Sequence, residues 1–140
     1  MTDMLIRNTE DLIRRLEDGE RLKYVFFWGH RRSARGVSKS CFSQWYDAPF
    51  VSGGAQYATA EHYMMAEKAR LFGDTTKIKD ILTAEEAGKA KAIGRTVANF
   101  DAEVWDQKKF EIVVRGNYEK FSQKPALREF ICNSGARVLV

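Results

Sequence analysis

The stretch YATAEHYMMAEKARLFGD, Tyr57 to Asp74, decides how this chain is read. It predicts a short strand running into a helix over Ala60 to Phe72. Thr59 suits the N-cap, because its hydroxyl can accept one of the unpaired N–H groups of the first turn. Gly73 stands where a helix is expected to stop. On that helix Glu61, Met64, Met65 and Lys68 share a face, at spacings of three, four and seven. An acid at one end of an apolar face and an amine at the other must be paired, at the rim, or engaged in chemistry, because burying either charge alone is costly. An ordinary reading is also open. A carboxylate in the first turn and a cation near the end both suit the helix dipole, and the lysine stem can lie along apolar surface. His62 points about 100° away from Glu61 on an ideal helix and is expected to make a structural hydrogen bond.

Outward from this centre, Asn8 or Thr9 can cap a helix over Glu10 to Asp18, which Gly19 ends. YVFFW, Tyr24 to Trp28, predicts a buried strand, with Trp28 and Trp105 in the core. A polar, basic loop, GHRRSARGVSKS, follows, and CFSQWY, Cys41 to Tyr46, reads as extended. Pro49, Gly53 and Gly54 mark turns before a strand at Gln56 to Ala58. Thr75 to Leu82 reads as helix, and Thr83 to Glu86 as a capping box for a helix over Ala84 to Ala92. Asp101 caps a long helix through Trp105, Phe110, Val114 and Tyr118; Pro125 opens the last helix, and Arg137 to Val140 reads as a strand. Few short strands among several helices predict an α+β class: one compact, mainly helical domain over residues 1–140 packed on a small sheet, with residues 1–23 as a helical extension.

Length and composition exclude several classes. With 140 residues, 44% apolar and 30% charged, the chain has room for a real core. No apolar run approaches a membrane span, and the first 20 residues carry charges throughout with no signal-peptide core. Only two cysteines, Cys41 and Cys132, and two histidines are present, without metal-ligand spacing. The expectation is free thiols in a reducing cytoplasm, with no metal and no membrane partner. A net charge of +4 favours phosphate-bearing partners without naming one.

The pieces FFWGH, SCFSQWY–APF, YATAEHYMMAEKARLFGD, IGR, FD–VWD–K–FEIVVRGN–KFSQ–P–LR–F and G–RVLV occur in this order over residues 24 to 140. Together they resemble the NADAR family (NAD- and ADP-ribose-associated), which includes the YbiA-like N-glycosidases. The resemblance implies a compact α+β fold. It also implies cleavage of N-glycosidic bonds between ribose and a base or amine, with no cofactor and no metal. It names two substrate classes: phosphoribosylamino-pyrimidine intermediates of riboflavin synthesis, and ADP-ribosylated guanine in nucleic acid. Glu61 and Lys68 match the family's helix acid and lysine and are the catalytic candidates. Phe42 and Trp45 match aromatic positions lining a sugar or base pocket. Gln44 stands where many relatives carry Asn, with the same amide. Gly94 and Arg95 match a glycine–arginine pair. Relatives continue past the RVLV strand into a segment resembling E-A-S-P-x-D-x-x-W-G-I-G, which supplies an acid and a tryptophan; this sequence ends at Val140.

The implied chemistry suits these side chains. Cleaving a C1–N bond develops positive charge at C1, which a fixed carboxylate such as Glu61 can stabilise while it orients a water. A lysine of lowered pKa can attack C1 of a ring-opened ribose imine, or hold a phosphate or hydroxyl; the sequence leaves both open for Lys68. Arg95, and Arg31, Arg32 and Arg35 of the basic loop, are candidates for phosphate contacts. Arg95 reads equally well as a helix C-cap, and the loop arginines as solvated surface. Asn117, a poor helix former inside a long helix, points to a pocket-facing or buried hydrogen bond. The expected partner is a phosphorylated ribosyl small molecule or ADP-ribosylated nucleic acid. Two other classes remain: a non-catalytic ADP-ribose or nucleotide-binding module, and a nucleic-acid-associated protein with Trp45 stacked on a base.

Overall fold

The computed structural model describes residues 8–31, 33–34, 36–135 and 137–140. The central helix, α2 (Ala60–Leu71), follows α1 (Thr9–Glu17) and the strands β1 (Tyr24–Val25), β2 (Phe50–Ser52) and β3 (Ala55–Tyr57). After it come α3 (Thr75–Thr83), α4 (Ala87–Gly94), α5 (Ala102–Gln123), α6 (Pro125–Cys132) and β4 (Val138–Leu139). The class is α+β and mainly helical, as the sequence predicts.

Helix α2 packs against α3, α4 and α5. Its residues Tyr63, Met65, Ala66 and Ala69 join Phe50, Tyr57, Ile81, Ala90, Val97, Trp105 and Ile112 in the larger core. A second core gathers Cys41, Phe42, Tyr46, Ala48, Phe121 and Leu127. Small residues allow the helices to close. A Cβ on Gly116 of α5 would lie 2.6 Å from Tyr63 Cδ1, and one on Gly94 of α4 would overlap Met65 Sδ. Both positions therefore need glycine to bring α5 and α4 onto α2.

The sheets are two separate pairs. Strands β2 and β3 form an antiparallel hairpin with Phe50 opposite Tyr57. Gly53 and Gly54 supply positive φ of 57° and 82° at its two-residue turn. Strands β1 and β4 pair in parallel, Tyr24 opposite Val138.

Three expectations give way to tertiary structure. The run Tyr24 to Trp28 is not buried throughout: Phe26 is 52% and Trp28 79% exposed. The strand itself spans only Tyr24–Val25, with β4 on one edge; Val25 and Phe27 pack on the second core, while Phe26 and Trp28 alternate with them and face outward. Cys41 to Tyr46 is not extended. A 3-10 helix spans Lys39–Phe42, and turns close from Ser43 N–H to Ser40 O and from Tyr46 N–H to Ser43 O. The Cys41 and Ser43 carbonyls that a strand would pair are taken by the Lys120 ammonium. Thr83 does not cap the next helix. Its hydroxyl donates back to Lys79 O and Asp80 O, extending α3, and α4 begins at Ala87 behind Glu86.

Gly116→Ala is expected to destabilise the fold by about 1–3 kcal/mol, since overpacking against Tyr63 outweighs the gain of about 1 kcal/mol in helix propensity. Urea denaturation followed by circular dichroism measures it.

Candidate active site

The first turn of α2 is fixed by polar groups that have no water to fall back on. Thr59 Oγ1 accepts from His62 N–H at 3.2 Å and bonds His62 Nδ1 at 2.7 Å. His62, 0% exposed, bonds the Ala84 carbonyl through Nε2 at 2.9 Å. A carbonyl only accepts, so Nε2 carries the proton and Nδ1 accepts from the threonine hydroxyl. His62 is thus spent on locking α2 to the segment after α3. It makes the structural hydrogen bond its sequence position suggests.

Glu61 is 7% exposed. Its backbone N–H donates to Gln44 O at 3.1 Å, joining α2 to the loop after the 3-10 helix. Burial pushes its carboxyl above the ordinary glutamate range, and the charges of Lys91 and then Lys68 pull it back. Lys68 is shifted the opposite way. Burial and the neighbouring Arg95 lower it, and Glu61 opposes them. The Lys68 Nζ stands over the Phe100 ring at 4.5 Å and the Trp105 ring at 5.6 Å. The structure therefore brings Glu61, Lys68 and Arg95 into one electrostatic group.

Lys91 belongs to that group and went unremarked in the sequence. It lies one helical turn before Arg95 on α4, and its Nζ stands 5.8 Å from the Trp45 ring. The i, i+4 spacing of Lys91 and Arg95 was the available signal, since it puts two cations on one face. Trp45 is half-buried; His30 meets it edge-on at 5.6 Å, and Gly88 of α4 lies against its ring. Glu61, Trp45, Lys68, Lys91 and Arg95 are thus linked by charge or ring contacts. A carboxylate ringed by cations, with an indole beside it, can hold an anionic, planar-ended ligand.

The other expected residues lie elsewhere. Gln44 and Asn117 pair their amides: Gln44 Nε2 donates to Asn117 Oδ1 at 2.9 Å, and Asn117 Nδ2 to Gln44 Oε1 at 3.2 Å. Asn117 Nδ2 also donates to Val113 O at 2.8 Å, which accounts for asparagine inside a helix. This amide bridge ties α5 to the loop bearing Trp45. Phe42 is 5% exposed and packs on Phe27, Phe121 and Phe130 in the second core. Phe42, Gln44 and Asn117 face a cavity of about 640 Å³ that also meets Val114, Tyr118 and Leu139. Glu61, Lys68 and Trp45 do not line it. Arg31 is exposed on the basic loop, and Arg32 and Arg35 lie outside the described residues.

The NADAR domain model matches residues 26–140, and the chain belongs to this family. It is 43% identical over 123 residues to N-glycosidase R617 of Acanthamoeba polyphaga mimivirus, covering 84% of this chain and 71% of that protein. The fold is similar to the NMR structure of the E. coli protein YbiA, with a TM-score of 0.70 and 21% identity. That likeness covers 86% of this chain and 67% of YbiA, and it concerns the fold alone. Among the described residues no helix is long and apolar enough to cross a membrane.

Two outcomes follow from this geometry. Lys91→Met removes the first of the charges that hold the Glu61 carboxyl down, so its pKa moves further up; carboxyl-carbon NMR titration of selectively labelled glutamate reads the shift. Asn117→Ala leaves Gln44 half-satisfied and costs about 1–2 kcal/mol in chemical denaturation. Gln44→Ala in addition costs less than the sum of the two, because the amides pair with each other.

Proposed function

We propose that this chain hydrolyses the C1–N bond between ribose and a base or amine in a phosphoribosyl or ADP-ribosyl compound. The observation that carries the reading is the Glu61 carboxyl, nearly closed to solvent and flanked by the cations of Lys68 and Lys91. A bimolecular hydrolysis through an oxocarbenium-like ribose needs a carboxylate held near C1 and a cationic surround for phosphate. Membership of the NADAR family and similarity to a viral N-glycosidase support the same reaction class. The substrate is either a phosphoribosylamino-pyrimidine or guanine-linked ADP-ribose. In both, Arg95 and Lys91 hold phosphate and Trp45 stacks on the base.

Glu61 is the acid–base residue. Raised by burial, it still needs to be ionised to stabilise positive charge, so activity rises as pH climbs through its elevated pKa. Lys68, lowered by burial and by Arg95, has two roles open to it: an ammonium that holds phosphate while water attacks the oxocarbenium-like ribose, or, on a ring-opened route, a free amine. On that second route its nitrogen adds to C1 of the ring-opened imine, the base departs with its nitrogen and a proton, and water then hydrolyses the lysine imine to free the ribose. The pH profile has an opposite sign for the two Lys68 roles. A nucleophilic amine makes kcat/KM rise as pH passes upward through the Lys68 pKa, whereas an ammonium anchor makes it fall.

Base release, followed by chromatography, tests the proposal on phosphoribosylamino-pyrimidine and on guanine-ADP-ribosylated DNA. Glu61→Gln and Lys68→Ala each reduce turnover by about 10²-fold or more with the circular dichroism spectrum unchanged. Borohydride reduction during turnover leaves a ribosyl adduct on Lys68 when its amine is the nucleophile, and none when it is an ammonium anchor. Retained turnover in Glu61→Gln would sink the carboxylate role. Affinity for ADP-ribose without base release from either substrate would instead mark a binding module.

A further inference from the structure

Lys120 is 0% exposed, the most thoroughly buried charged side chain among the described residues. It projects from α5 into the second core, and its Nζ donates to Cys41 O at 2.6 Å and to Ser43 O at 2.8 Å. The rings of Phe121 and Tyr46 stand 5.0 and 5.6 Å away. Both acceptors are neutral carbonyls on the segment that leads into Gln44 and Trp45. The next carbonyl, Gln44 O, receives the Glu61 N–H, and the Gln44 side chain is held by Asn117, less than one turn before Lys120 on α5. We propose that Lys120 is a positioning residue: its amine clamps the Cys41–Ser43 backbone so that Gln44 O meets the Glu61 N–H and Trp45 stands beside Lys91.

Three observations favour position over stability as its role. Burial lowers the Lys120 amine to about 8; only the ionised form of Cys41 would oppose this, and burial raises the Cys41 pKa. With its folded pKa below the unfolded value, the ammonium form costs stability at neutral pH, and stability recovers as pH rises through about 8. The segment it holds makes 3-10 and turn hydrogen bonds in place of a sheet ladder, so no neighbouring strand holds the Cys41 and Ser43 carbonyls; side-chain packing and the Gln44–Asn117 bridge flank them, and Lys120 bonds them directly. Both bonds are also independent of protonation. A neutral amine still has two N–H donors for the two carbonyls, so the clamp persists on either side of the Lys120 titration.

The test reads the loop separately from the reaction, because the consequence for catalysis rests on the hydrolase reading above. Amide hydrogen exchange by NMR is measured for Glu61, with Ala66 of α2 and Ile112 of α5 as references, in the parent, Lys120→Met and Lys120→Arg. Methionine fills the space but donates nothing, so protection of the Glu61 amide falls about tenfold or more while the references change less than about threefold. Arginine restores donors for the two carbonyls and is expected to keep Glu61 within about threefold of the parent. On any substrate the parent turns over, Lys120→Met lowers kcat/KM about tenfold or more. Undiminished Glu61 protection in Lys120→Met, or a fall no larger than that of the references, overturns the proposal even if no substrate is found. Should Lys120→Met fail to fold, lysine side-chain NMR of the parent decides. The Lys120 amine is expected to exchange slowly and titrate near 8, and a freely exchanging amine of ordinary pKa overturns the clamp.

Discussion

The constraint on which this structure depends is the burial of the polar first turn of α2. Thr59, Glu61 and His62 are all nearly closed to water. Each donor and acceptor there must find a partner within the protein, because an unmet buried polar group costs about 1–3 kcal/mol; Thr59 and His62 partly meet each other, and the rest come from distant parts of the chain. The Ala84 carbonyl meets the His62 ring, and the Gln44 carbonyl meets the Glu61 N–H. Those two bonds fix where the α3–α4 connection and the Trp45 loop must run.

The same burial sets the electrostatics. Desolvation drives Glu61 and Lys68 in opposite directions, towards their neutral forms. Lys91 and Arg95, reaching in from α4, restrain the first and reinforce the second. Helix α4 comes this close because Gly94 leaves Met65 its space. A packing decision on the same face of the helix, one turn from Glu61, is thereby coupled to the charge balance at the site.

The helices with a capping residue and a clear stop were legible. Asn8, Thr59 and Asp101 cap α1, α2 and α5 as their positions suggest, and Pro125 opens α6. Local hydrogen bonding to the nearest free N–H groups is enough to determine them. The start of α4 was misplaced because the Thr83 hydroxyl has two local choices, forward as a cap or back to Lys79 and Asp80, and only packing selects. The run through Cys41 to Tyr46 looked extended because its apolar residues fit a strand; no local signal shows that a lysine 79 residues away takes its carbonyl.

The sequence by itself determined the α+β class, the course of α2 and the pairing of Glu61 with Lys68 on one helix face, because caps, glycine stops and helical spacing act over a few residues. The tertiary structure decided the rest. It sent Phe42 into the second core, joined Gln44 to Asn117, exposed Trp28, and set Lys91 and Arg95 against Glu61 and Lys68. Each of these depends on which surfaces meet, and burial and charge are properties of neighbours that a linear chain does not carry.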